Sequence, residues 1–161
     1  MKTYVLFCTV LLNALATGFF FAWSVSVIVG TKKVTDLTYL ETMQNINREI
    51  LNPVFFIVFF GSLVTLFLTT YLQLNHKTVF WFVLASTIIY LIGTFGVTAF
   101  GNVPLNNELD ALNIHGFNLT ELNKFRTYFE GTWNQYHIIR TIASIISFTL
   151  LLIATFIQKS F

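Results

Sequence analysis

Three side chains towards the C-terminal end of the chain have the types and the spacing of a functional site. Trp133, His137 and Arg140 are separated by four and then three residues, so they lie on one face of a helix, which Ser144 continues. Histidine titrates in the range that suits proton transfer, and arginine can steady an anion. A tryptophan can stack on an aromatic ring. One chemistry that these residue types could support is acid–base chemistry on an aromatic molecule that passes through an anion.

Arg140 also has a structural interpretation. An arginine at the depth of the bilayer costs about 2.5 kcal/mol or more, so its guanidinium must face the bundle and find a polar partner. A structural ion pair, or a side chain that reaches up to the interface, satisfies this requirement as well as a contact to a substrate does. At this stage both interpretations stay open, and both place Arg140 inside the bundle.

The histidines do not form a metal centre on their own. His137 is at a bundle position, whereas His76 is in a short link and His115 is in a long polar segment, so a haem held by two histidines is excluded. A site that combines His137 with a carboxylate has no motif spacing, and no metal is predicted. The carboxylates that such a site could use are Glu41, Glu49 and Glu108.

The elements that must position these residues are membrane helices. Of 161 residues, 55% are hydrophobic and only 10% are charged, against about 25% charged residues in a soluble domain. Four apolar spans cover about residues 5–29, 54–72, 79–100 and 138–157, and each approaches the ~20 residues that cross a bilayer as a helix. The sequence predicts one all-α domain over residues 1–161, an integral membrane four-helix bundle.

The N-terminal span raises two further questions. Lys2, an apolar run and Ala14-Leu15-Ala16 resemble a signal peptide, but the run continues to Val29 and is too long for a signal core, so we expect a retained helix. Cys8 is the only cysteine, which excludes an intrachain disulfide, a dithiol redox centre and a cysteine metal cluster.

The short link 73–77 makes the second and third spans antiparallel and places both termini on its side. The polar segments 30–53 and 101–137 then share the opposite side, and they contain all seven acidic residues. Six Lys and Arg on that side against three on the termini side argue against cytoplasmic termini. We discount Arg48 and Arg140 as bundle residues and Lys124 and Arg126 as part of a long segment. We therefore predict a bacterial inner membrane protein with both termini cytoplasmic.

The polar segments contain helices of their own. After a cap at Thr35 or Asp36, helical periodicity runs from Leu37 through Pro53, which predicts one long second helix with a kink or restart at the proline. A short extra helix is predicted at about residues 120–129, before the fourth span.

Amide-rich residues are brought to one end of the bundle by this topology. The stretch "VTAFGNVPLNNEL" (Val97–Leu109) has more Asn than a turn needs. Buried amides without partners cost about 1–3 kcal/mol each, so a cavity that admits water or a polar ligand is favoured over a closed plug. The predicted lining is Gln44, Arg48, Asn52, Asn106, Trp133, His137 and Arg140.

Three segments carry a resemblance to a known family. "MQNINREILNP" (Met43–Pro53), "GNVPLNNEL" (Gly101–Leu109) and "WNQYHIIRT" (Trp133–Thr141) resemble, in order and spacing, the signatures of the anthrone-oxygenase-like family of small four-helix membrane proteins. Fungal members are implicated in oxidising anthrones to anthraquinones without a bound metal or flavin. The chain departs from the family pattern by lacking a Pro after the first span and by having His137 where Asn is frequent. The motif positions are Gln44, Asn47, Asn52, Pro104, Asn106, Trp133, His137 and Arg140.

Two hypotheses for function follow. The first is a cofactor-independent oxidoreductase acting on a hydrophobic aromatic molecule, with His137 and Arg140 as catalytic residues. The second is a non-catalytic membrane protein that binds a lipid or small molecule, or serves as a transport accessory or partner subunit. The expected partners are the bilayer and a hydrophobic small molecule, with no nucleic acid, and the oligomeric state is not defined. The predicted ligand-binding residues are Gln44, Asn47, Arg48, Asn52, Asn106 and Trp133.

Overall fold

Five helices follow one another along residues 2–159, the part of the chain that the computed structural model describes. They are α1 (Lys2–Thr31), α2 (Asp36–Glu49), α3 (Pro53–Leu72), α4 (Lys77–Asp110) and α5 (Leu119–Lys159). The described residues contain no strand. All but α2 are long and apolar enough to cross a membrane, which confirms the predicted all-α architecture with four spans. The protein is an integral membrane protein.

The four long helices pack as a bundle that the shorter α2 closes at one end. Helix α1 packs against α3 and α5, and α4 packs against α3 and α5. Helix α2 packs against α4 and α5 through a buried apolar cluster that includes Leu40, Met43, Leu109 and Phe129. The polar end of the bundle is therefore a packed layer of its own.

The predicted restart at Pro53 is confirmed, but α2 and α3 are two separate helices and do not form one long second helix. Helix α2 ends at Glu49 and α3 begins at Pro53, with Asn52 extended between them at φ −121° and ψ 159°. Proline disfavours helical geometry in the residue before it, and the Asn52 Oδ1 accepts a hydrogen bond of 3.0 Å from the backbone N–H of Phe55. Asn52 is thus the N-cap of a new helix.

The prediction of a separate short helix before the fourth span is wrong. Helix α5 runs for 41 residues without a break, because the segment contains a single glycine, Gly131, and no proline. Its start is fixed by Asn118, whose Oδ1 accepts from the N–H groups of Thr120 and Glu121, and whose own N–H donates to Glu121 Oε2. At 1.5 Å per residue α5 is about 60 Å long, roughly twice the thickness of the hydrocarbon layer.

Polar side chains on one face of α1, those of Thr9, Asn13 and Thr17, mostly contact neighbouring helices. The Thr9 and Thr69 hydroxyls are 2.7 Å apart, and the Thr17 hydroxyl donates to the backbone carbonyl of Ser144 at 3.2 Å. The Asn13 amide donates to the carbonyl of Thr9, while its Oδ1 is buried with no partner in the described residues. Hydroxyl contacts of this kind typically stabilise helix association in membranes by ~0.6 kcal/mol.

Gly93 permits the close approach of α4 and α5, which gives a test of the packing. A Cβ at this position would lie 2.5 Å from the Ala143 Cβ. We expect Gly93→Ala to destabilise the protein by about 1–3 kcal/mol, measured by thermal unfolding, because neither backbone can yield easily. Exchanging the methyl group in Gly93→Ala/Ala143→Gly should restore most of the loss. Gly18→Ala is the control, since no atom outside the neighbouring residues and backbone of its own helix lies within 4 Å of its added Cβ. Equal effects at Gly18 and Gly93 would contradict the packing.

The arrangement of the termini can be tested by cysteine labelling. Lys77 begins α4 beside the short link, whereas Glu121 is in the first turn of α5 at the opposite end of the bundle. In a Cys8→Ser background, we expect Lys77→Cys and Glu121→Cys to react with a membrane-impermeant maleimide from opposite sides of sealed vesicles. Reaction of both from one side would refute the topology.

Candidate functional site

An inner cavity of about 80 Å³ lies where all five helices meet, at the end of the bundle that α2 covers. Most of its walls are apolar or aromatic, and a few polar side chains project between them. The lining consists of Phe19, Phe20, Trp23, Ile46, Asn47, Ile50, Leu51, Phe55, Thr98, Val103, Asn106, Trp133, His137 and Arg140.

Arg140 is the charged group of this inner cavity. Its side chain is buried, with 7% of the residue exposed, which confirms that it faces the bundle. Nε and Nη2 donate to the His137 Nδ1 at 3.2 and 3.0 Å, and Nη1 donates to the Thr98 hydroxyl at 3.4 Å. The guanidinium also lies over the rings of Phe20 and Trp133, 4.7 and 4.9 Å from their centroids. Three of the five N–H donors of arginine are thus used.

The Arg140 guanidinium has no acidic partner in the described residues. None of the ion pairs within 4.0 Å involves Arg140, whereas Arg48 pairs with Asp110 and Arg126 pairs with both Asp36 and Glu130. Burying a charge without an opposite charge costs several kcal/mol, which cation–π contacts of about 2 kcal/mol only partly offset. Such an unfavourable feature is expected where a ligand supplies the missing charge.

His137 is held by hydrogen bonds on both ring nitrogens. Because arginine can only donate, the Nδ1 of His137 accepts, and the neutral ring carries its proton on Nε2. That nitrogen lies 2.9 Å from the Ser24 hydroxyl and 3.3 Å from the Thr141 hydroxyl. His137 therefore fixes the orientation of Arg140 while it stays neutral.

Trp133 forms a wall of the inner cavity and has little free surface. Its ring stacks on His137 with centroids 5.2 Å apart at 8°, and its centroid lies 5.7 Å from that of Trp23. The indole N–H donates to the Asn106 Oδ1 at 2.8 Å, and the Asn102 amide donates to the Trp133 carbonyl. These contacts keep Trp133 and Asn106 in fixed positions beside Arg140.

Asn47 adds a free donor to the inner cavity. Its Nδ2 is buried and has no partner in the described residues. Together with the two unused N–H groups of Arg140, it makes this space rich in hydrogen-bond donors. A negatively charged or carbonyl oxygen is the group that complements these donors.

Three of the residues predicted to line the cavity lie elsewhere. Gln44 donates to the carbonyls of Leu109 and Leu112, at 2.8 and 3.1 Å, and so fastens α2 to the end of α4. Arg48 forms an exposed ion pair of 2.6 Å with Asp110, and Asn52 caps α3. The predicted positions that do line the inner cavity are Asn47, Asn106, Trp133, His137 and Arg140.

Other residues of the site escaped the sequence argument. Trp23 and Ser24 belong to a π-helical turn of α1, and Thr98 belongs to one of two such segments in α4. All three segments border the site: Ser24 contacts His137, the Thr94 hydroxyl donates to the Arg140 carbonyl, and Thr98 contacts the guanidinium. π-Helical turns are rare and frequent at functional sites, so three in one place support a functional interpretation.

The described residues contain no group of three or more His, Cys, Asp and Glu side chains that could hold a metal ion. The nearest ring nitrogens, those of His137, are already engaged by Arg140, Ser24 and Thr141. The polar groups of the inner cavity therefore suit an anion better than a cation.

The fold and the site define a class: a small helical membrane protein with a buried, unpaired arginine at one end of a four-helix bundle. The family model for anthrone oxygenase matches residues 51–150, and the chain belongs to this family. The matched segment contains Trp133, His137 and Arg140, while Asn47 precedes it. Comparisons with curated proteins and with solved structures found no match.

Proposed function

We propose that the protein binds a hydrophobic aromatic molecule with an acidic hydrogen and promotes its oxidation by molecular oxygen, without a metal or flavin. The observation that carries this proposal is the Arg140 guanidinium, which is buried without a carboxylate within 4.0 Å in the described residues. An anthrone is such a molecule, since loss of a methylene proton gives an enolate with its charge on oxygen. The family to which the chain belongs supports this choice.

In the proposed reaction Arg140 and Asn47 bind the substrate oxygen. The unused N–H groups of the guanidinium and the Asn47 amide are donors that lie in the wall of the inner cavity before any ligand binds. Donors fixed in advance stabilise a developing negative charge by more than water does, typically by ~10²–10³ in rate for one donor. The substrate anion is thereby favoured over the neutral molecule, and the anion is the form that reacts with oxygen.

His137 is the proposed acceptor of the substrate proton. In the ligand-free site its Nδ1 accepts two hydrogen bonds from Arg140 and is not available. When the carbonyl oxygen of the neutral substrate draws the guanidinium towards itself, the hydrogen bonds from Nε and Nη2 to Nδ1 break, and the lone pair of Nδ1 becomes free to take the methylene proton. The overall reaction balances: the methylene carbon loses two hydrogens, which leave in one molecule of water, and gains one oxygen atom from O₂ as a carbonyl.

A second candidate function is binding without catalysis. It is favoured by one specific observation, the volume of the inner cavity, which at about 80 Å³ equals only two or three water molecules. A fused ring system cannot enter it completely. The two candidates share the anion contact at Arg140 and differ only in whether oxygen is consumed.

Oxygen consumption with anthrone distinguishes these functions. In nanodiscs we expect the wild-type protein to accelerate conversion to anthraquinone, with one O₂ consumed per product. Arg140→Met should lower the accelerated rate by at least about 100-fold, and His137→Ala should lower it by a similar factor. Arg48→Met is the matched control, because its guanidinium is exposed and paired with Asp110. A wild-type rate equal to that of Arg140→Met would refute the oxygenase and leave the binding function.

A further inference from the structure

A second space, here called the outer groove, opens between α1 and α3 on the outside of the bundle. Its volume is about 330 Å³, and every lining side chain except Asn52 is apolar. Leu15 and Val54 at its mouth are 51% and 72% exposed, on a surface that meets lipid. The lining consists of Leu15, Ala16, Phe19, Phe20, Ile50, Asn52, Val54, Phe55, Val58 and Phe59.

The outer groove and the inner cavity have walls in common. Phe19, Phe20, Ile50 and Phe55 line both spaces. The rings of Phe19 and Phe55 are in contact, with centroids 5.9 Å apart, so aromatic side chains form the partition between the two spaces. Phe20 also lies beneath the Arg140 guanidinium. The inner end of the groove is therefore at the unpaired charge.

The sizes of the two spaces complement each other. The inner cavity of about 80 Å³ has room for a carboxylate or an enolate edge, but not for a ring system. The outer groove of about 330 Å³ falls within the range of small-molecule sites, which begins near 300 Å³. A molecule with a small anionic head and a larger apolar body matches both spaces together.

We propose that the outer groove is the subsite and the lateral access route for the apolar body of an aromatic acid that is dissolved in the membrane. This inference rests on the proposed function in taking Arg140 as the anion site. It adds that the substrate carries an apolar substituent and reaches the site from the bilayer between α1 and α3. The occupant is thus an alkyl-substituted aromatic molecule that carries the acidic hydrogen of the proposed reaction and whose anionic head contacts Arg140. An aromatic carboxylate serves as a stable analogue of that anion.

The charge at the inner end argues against an ordinary lipid chain as the occupant. An acyl chain that enters the groove ends in a methyl group, which would leave the Arg140 guanidinium without an anion. An aromatic acid supplies that anion and covers the apolar walls. The polar rim gives no alternative anchor, because the Asn52 side chain already accepts from Phe55 and donates to the carbonyl of Glu49.

Photolabelling in nanodiscs tests the location. The probe is para-decylbenzoic acid with a diazirine at the end of its alkyl chain, and labelled peptides are mapped by mass spectrometry. We expect adducts at Leu15, Val54 or Val58, lost when unlabelled para-decylbenzoic acid is added in excess and retained when decylbenzene is added. Filling the groove with Val58→Trp should abolish these adducts and leave unchanged the affinity for acetate, a carboxylate without a ring that needs only the inner cavity, measured by calorimetry. Leu15→Trp is the second variant, in case Val58→Trp does not fold.

The control is Val64→Trp, the same substitution on an exposed position of α3 outside the groove, which should label as the wild type does. Adducts spread over lipid-facing residues, or adducts that decylbenzene displaces equally well, would overturn the groove proposal. In that case, binding of benzoate that depends on Arg140 would still support the anion site. Absence of any binding that depends on Arg140 would overturn the proposed function, and this inference with it.

Discussion

Replacing Arg140 with methionine should abolish binding of an aromatic carboxylate while the protein stays folded. The lost interaction is a set of hydrogen bonds from a buried charged donor to an anion, each worth about 1.5–3 kcal/mol, so the affinity for benzoate should fall by at least about 100-fold. Isothermal titration of benzoate into nanodiscs measures this. Arg48→Met, at an exposed ion pair, should bind as the wild type does.

The stability of the same variant separates a binding role from a structural one. Methionine removes three hydrogen bonds to neutral acceptors, but it also removes an unpaired buried charge whose desolvation costs several kcal/mol. Because these effects oppose each other, we expect the free energy of unfolding of Arg140→Met to stay within about 1 kcal/mol of the wild type. Loss of 3–5 kcal/mol, typical of a broken buried network, would show that Arg140 holds the bundle together instead.

Replacing Arg126, unlike replacing Arg140, should lower the free energy of unfolding. We expect this replacement to have the largest effect on stability. Its guanidinium donates to Asp36 at 3.0 Å and Glu130 at 2.9 Å, and to the carbonyls of Thr31 and Val34. These contacts join the end of α1, the following link and the start of α2 to α5. Arg126→Met should lower the free energy of unfolding by about 2–4 kcal/mol, because two partly buried carboxylates lose their partner.

The environment of Tyr39 adds to this junction. Arg126 lies over its ring, 4.6 Å from the centroid, and burial, followed by the nearby Glu130, raises the pKa of its hydroxyl far above the ordinary value. Tyr39 therefore remains neutral and acts as a packing surface. Arg48→Met is again the control, since its ion pair with Asp110 is 56% and 49% exposed and is worth about 0–1 kcal/mol. Equal loss in the two variants, measured by thermal unfolding in the same detergent, would contradict this comparison.

The four spans and the inward direction of Arg140 were predictable because both follow from the cost of polar groups in lipid. An apolar stretch of about 20 residues must be helical, and a guanidinium within the bundle must avoid acyl chains. These constraints act on each residue independently of the partners it meets. Asn106, Trp133 and His137 were also placed correctly, because helical spacing and topology bring them to the end of the bundle where Arg140 lies.

The remaining features depend on partners that the sequence does not reveal. Gln44 and Asn47 lie on the same helix, yet Gln44 meets the free carbonyls at the end of α4 and Asn47 meets the inner cavity. Asn52 was expected at the cavity, but the proline after it makes it a helix cap. The π-helical turn that carries Trp23 and Ser24 was not predicted, and its contact with α5, from Ser24 to His137, is visible only in the fold.

The most direct test of the anion site is a structure of the protein with para-bromobenzoate, in which anomalous scattering locates the bromine. The account predicts the carboxylate within hydrogen-bond distance of Arg140 and the Asn47 Nδ2, with the bromine towards Phe19 and Phe55. An Arg140 guanidinium bonded only to His137 and Thr98, with no bromine in the inner cavity or the outer groove, would contradict it.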